Sequence, residues 1–110
     1  QDLERMINSD TTTVLIATNK DDQIVGTMTL VLFRIPTGLR AWIEDVIVDS
    51  ESQGKGIGKK LNQKALTIAE KAGAKTVELT SRPSREAANR LYQNLGFVKR
   101  ETNIYRFTFD

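Results

Sequence analysis

Hydrophobic and polar positions change their period several times along the chain, and each change predicts a new element. Thr11–Thr18 (TTTVLIAT) is rich in β-branched residues, Asn19–Gln23 (NKDDQ) is turn chemistry, and Ile24–Phe33 (IVGTMTLVLF) is apolar again, so the three predict a hairpin. RIPTGLR follows as a loop. Ala41–Val48 (AWIEDVIV) is then a third strand, its apolar part near-continuous as in a strand covered on both faces. Ahead of the hairpin, Leu3–Ile7 (LERMI) reads as the end of a helix.

From Gly56 the period becomes helical. Ile57, Leu61, Ala65, Ile68, Ala69 and Ala72 share one stripe, with Lys59, Lys60, Lys64 and Lys71 mostly off it, and Gly73 is a C-cap. Lys75–Thr80 (KTVELT) predicts a strand, and a helix runs from Ser84 to Gly96. GFV and IYRFTF close the chain as one or two strands. At 110 residues, with no repeat and no linker, residues 1–110 read as a single domain with one core.

Composition narrows the chemistry by what it lacks. The chain has no Cys and no His, which removes disulfides, thiolate nucleophiles, His-based triads and the commonest metal ligands. Carboxylates, Tyr, Lys and backbone groups are left to act, and no metal site is expected. A net charge of +2 does not point to nucleic acid, and no apolar run is long enough for a membrane span. A chain without cysteine is compatible with the cytoplasm.

The turn in WIEDVIVDSESQGKGIGKKL, residues 42–61, stands out. Gly54, Gly56 and Gly58 lie between a strand and a helix, where a backbone without Cβ atoms can aim several N–H groups at one point beside the positive end of the helix dipole. That is an anion site, most naturally for phosphate, with Lys55, Lys59 and Lys60 beside it. Spacing excludes the P-loop, because Gly58-Lys59 is followed by Lys60 and position 53 is Gln; the dinucleotide fingerprint is not met either.

QGKGIG (Gln53–Gly58) fits the acyl-CoA pyrophosphate motif Q/R-x-x-G-x-G/A, and ANRLYQNLGF (Ala88–Phe97) resembles the second signature of the same family, A-x-x-L-Y-x-x-x-G-F. Both occur in the family's order with a strand between them. On these motifs the chain resembles the GNAT superfamily of N-acetyltransferases over roughly residues 11–109.

The resemblance implies an α/β fold of α+β type: a mixed, mostly antiparallel central sheet flanked by helices. It implies acetyl-CoA as co-substrate. Backbone groups of Val46, Ile47 and Val48 would pair with the pantetheine arm as an added strand, and amides of Gln53, Gly54, Lys55, Gly56, Ile57, Gly58 and Lys59 would cradle the pyrophosphate. Tyr92 would lie near the sulfur as general acid, and Asn89 is a candidate polar contact. Many relatives carry Asn seven residues before this Tyr; here the position is Arg85.

Acetyl transfer from a thioester to an amine requires a deprotonated amine and neither a metal nor a covalent nucleophile. Glu44 and Asp45 are the candidate bases, Glu44 being favoured. Adjacent strand residues point to opposite faces, so only a bulge would let both look into one site. Trp42 is either core or a wall of the acceptor pocket, and Arg82, Arg85 and Arg90 are either a solvated face or a contact for the 3′-phosphate. The expected acceptor is a small-molecule or peptide amine. The reading of a different class is a non-catalytic acyl-CoA-binding or sensing domain.

Relatives in this family usually begin with a further strand and two helices. The short segment before Thr11 suggests that the strand and most of those helices are missing, leaving Thr11–Thr18 with an unpaired edge that invites a homodimer and an acceptor pocket open on that side.

Overall fold

Asn19 builds the hairpin expected over residues 11–33. Its Oδ1 accepts hydrogen bonds from the backbone N–H of Asp21 (2.9 Å) and Gln23 (3.0 Å), so the side chain imitates a turn of backbone and reverses the chain. Asp22 takes the left-handed conformation there, with φ of 59°. The expected hairpin therefore forms, as strands β2 (Thr12–Thr18) and β3 (Ile24–Ile35).

The computed structural model describes residues 2–8 and 11–109, with side chains from residue 11 onward. These residues fall into two compact units, Gln1–Thr80 and Ser81–Asp110. The first contains a five-stranded sheet in the order β1-β2-β3-β4-β5, with β1 Asp2–Asn8, β4 Gly38–Val48 and β5 Val77–Glu78. Neighbours among β1 to β4 are antiparallel, and β5 runs parallel to β4. One face is covered by helix α1 (Ile57–Ala72).

Three expectations change here. The segment holding LERMI is strand β1, registered from Asp2↔Thr18 to Asn8↔Thr13, and not a helix end. A stretch this short fits either period, and pairing with β2 decides it. Thr12–Thr18 consequently has a strand on each side, so the unpaired edge on which a homodimer was expected does not exist. RIPTGLR is not a loop, because β3 and β4 pair out to Ile35↔Gly38 and only Pro36 and Thr37 turn the chain. Pro36 presets its φ for such a turn, and Lys75 Nζ donates to the Thr37 carbonyl at 2.8 Å.

Strand alternation and register explain the core. Leu15, Ala17, Met28, Leu30, Ala41 and Ile43 are at most 3% exposed. Register partners such as Leu15↔Met28 and Leu30↔Ile43 share the face that packs on Ile57, Leu61, Ala65 and Ala69 of α1. Gly26 lies where the helix approaches most closely: a Cβ there would stand 2.8 Å from Ile57 Cγ2 and 3.2 Å from Leu61 Cδ1. α1 ends as expected at Gly73, whose φ of 89° lets its N–H reach the Glu70 carbonyl while Ala74 N–H reaches that of Ala69.

The second unit holds helix α2 (Glu86–Asn94). It closes in the same way. Gly96 has φ of 104°, its N–H bonds to the Gln93 carbonyl, and Phe97 N–H bonds to the Tyr92 carbonyl at 3.0 Å. The expected closing strands do not form: residues 97–109 carry no regular ladder, and Val98, Tyr105, Phe107 and Phe109 are all more than four-fifths exposed. Alternation alone cannot make a strand where its unit supplies no second strand to bond to.

Candidate active site

Strand β4 is regular up to Glu44 and then breaks. Its pairing with β3 passes from Thr29↔Glu44 to Thr27↔Ile47, so two residues, Asp45 and Val46, stand opposite Met28 alone. This is a β-bulge, and Asp45 sits in it with φ of 55°, a left-handed conformation uncommon outside glycine. Both carboxylates are exposed.

β5 pairs with β4 at Ala41↔Val77 and Trp42↔Glu78. Among the described residues the outer edge of β4 has no strand partner from Ile43 onward. Asp49 N–H donates to the Val25 carbonyl at 2.8 Å, which makes Gly26↔Val48 a non-hydrogen-bonded pair and turns the peptide groups of Val48 outward. The same alternation turns those of Ile47 inward, toward Thr27. Ile47 thus offers an exposed side chain, and Val48 offers its backbone N–H, since Gln53 reaches its carbonyl.

The strand runs through a single 3₁₀ turn, Ser50–Ser52, into the glycine turn. Gln53 ties the two together, its Nε2 donating to the Val48 carbonyl at 3.4 Å. Gly54 and Gly56 have φ of 84° and 79°, and Gly56 is the N-cap of α1 without any side-chain cap. The first α-helical bond closes from Lys60 N–H to the Gly56 carbonyl at 3.0 Å. The N–H groups of Ile57, Gly58 and Lys59 come before that bond and have no partner in the helix. Lys55, Lys59 and Lys60 are exposed around them. Ile57 contributes only its N–H, because its side chain is 2% exposed in the core.

Trp42 and Glu44 share the sheet face opposite α1, and the indole N–H of Trp42 donates to Glu44 Oε1. The i, i+2 spacing on a strand permits this contact, and that spacing is legible in the sequence. The bulge at Asp45 has no such signal.

In the second unit Tyr92 is 6% exposed and meets Phe97 edge-on, with ring centroids 5.8 Å apart and planes at 71°. The spacing of LYQNLGF is the spacing of this helix end, where the residue after Gly96 folds back on the helix. Asn89 Nδ2 donates to the Arg82 carbonyl at 3.0 Å, bracing the segment before α2 with one of its two amide hydrogens.

Comparison with known proteins agrees with this geometry. The model of the family described as Acetyltransferase (GNAT) family matches residues 1–97. N-alpha-acetyltransferase 30 of Schizosaccharomyces pombe is 35% identical over 71 residues, covering 64% of this chain and 47% of that protein. Mycothiol acetyltransferase of Renibacterium salmoninarum is 33% identical over 87 residues, covering 77% of this chain and 26% of that protein. The chain thus spans half or less of the length of these relatives. A structure of a putative acetyltransferase from Agrobacterium tumefaciens superposes with a TM-score of 0.82 at 25% identity, covering 91% of this chain and 71% of that one.

Proposed function

Since the chain belongs to the GNAT acetyltransferase family, we propose that it transfers an acetyl group from acetyl-CoA to a primary amine by direct attack within a ternary complex. One observation carries this reading. A bulged strand, without a described strand partner on its outer edge beyond Trp42, leads into a glycine turn whose N–H groups ahead of the first helical bond, with the lysines beside them, suit a pyrophosphate.

The parts have separate tasks. The outward N–H of Val48, with the backbone of Val46 beside the bulge, receives the amide-rich pantetheine arm as an added strand. The amides from Gln53 to Lys59 hold the pyrophosphate. Glu44 removes a proton from the acceptor ammonium, directly or through a water, with Asp45 as the second candidate. The amine nitrogen then bonds to the thioester carbonyl carbon, the carbon–sulfur bond breaks, and Tyr92 protonates the departing thiolate. Asn89 is assigned a polar contact through its side-chain amide.

The relatives carry different acetyltransferase names, and the acceptor of this chain is proposed only as an amine, small or peptidic. Thiol release from acetyl-CoA, measured against a panel of polyamines, amino sugars and peptides with free N-termini, tests the reading. Turnover with one class supports it. Stoichiometric acetyl-CoA binding without turnover would instead favour a non-catalytic acyl-CoA-binding domain.

A further inference from the structure

The geometry points to Trp42 as a positioning residue for Glu44, an inference that rests on the acetyltransferase reading above. Glu44 is exposed at the last regular position before the bulge, where among the described residues no strand pairs with the outer edge of β4. A carboxylate so placed would ordinarily sample several rotamers, and a base must point its oxygen at the proton it removes. Trp42 supplies the constraint. Its ring is half-buried, registered between Val31 on β3 and Glu78 on β5, and its N–H reaches Glu44 Oε1.

Indole is a donor only and an ionised carboxylate an acceptor only, so the direction of this hydrogen bond is fixed. With Oε1 held, Oε2 remains for the acceptor amine or a bridging water. Trp42 touches neither substrate in this scheme and acts through Glu44. The bulge lies beyond the pair, so the regular alternation that sets both side chains on one face holds through Glu44.

Trp42→Phe keeps an aromatic ring and deletes the donor. It is expected to lower kcat about 10- to 100-fold, the cost of a misoriented catalytic group, with the amine KM and acetyl-CoA affinity changed less than about threefold. The Trp42→Phe/Glu44→Gln double variant should be no slower than Glu44→Gln alone, because both changes remove one function. Trp42 is the only tryptophan, so its indole ¹⁵N–¹H resonance is unambiguous and should move upfield in Glu44→Ala. Wild-type kcat in Trp42→Phe, losses that multiply in the double variant, or an indole resonance unmoved by Glu44→Ala would each overturn the inference. A wild-type protein that binds acetyl-CoA but acetylates no amine overturns the acetyltransferase reading itself, and this inference with it.

Discussion

Tyr92 and Glu44 carry the proton transfers in the proposed reaction, and each can be removed with little change of shape. Tyr92→Phe leaves the ring packed on Phe97 and deletes only the hydroxyl, so turnover should fall about 10²- to 10⁴-fold while acetyl-CoA affinity holds within a few-fold. Equal turnover in steady-state assays would remove Tyr92 from the mechanism and leave it the structural task of closing α2. Gly26 presents the opposite case, a residue defined by the space it does not fill. Gly26→Val would drive Cβ against Ile57 Cγ2, whose side chain is buried and cannot yield freely, and should cost about 1–3 kcal/mol in chemical denaturation.

The glycine turn and α1 act as one element. Gly56 has no neighbour within 4 Å of a Cβ, so a side chain would fit; its φ of 79° is what disfavours one. Gly56→Glu adds that strain and sets a carboxylate beside N–H groups proposed for the pyrophosphate, so calorimetric titration should show acetyl-CoA binding abolished. Leu61, fully buried on the same helix, tests the packing that aims the turn. Leu61→Ala should destabilise the fold by about 2–5 kcal/mol, seen as a lower Tm.

For the molecule as a whole, ligand binding and folding are linked. Acetyl-CoA at a hundredfold excess over its Kd should add about 2.7 kcal/mol to stability. For a domain of this size that raises Tm by on the order of 10 °C. A thermal scan showing no rise at millimolar acetyl-CoA would overturn the whole acyl-CoA assignment. The sheet also limits how copies can associate: β2 lies inside it between β1 and β3, so β2 cannot be the edge that pairs with another chain.

Local chemistry was readable wherever it suffices by itself. Asn19 and its neighbours specify a turn, the glycines at 54, 56 and 73 specify the ends of α1, and the apolar stripe from Ile57 to Ala69 specifies its buried face. The two motifs identified the family for the same reason, since each is a local backbone device: an uncapped helix start and a glycine-closed helix end. Tertiary pairing decided the rest. Asp2–Asn8 is a strand because β2 offers it a ladder, whereas Ile104–Phe109, with an equally good alternation, has no ladder in its own unit and stays irregular. The bulge at Asp45, the outer edge of β4 beyond its pairing with β5 and the hold of Trp42 on Glu44 all depend on register between strands far apart in sequence. A period of two states which residues share a face, but only the neighbouring strand determines where the ladder slips by one.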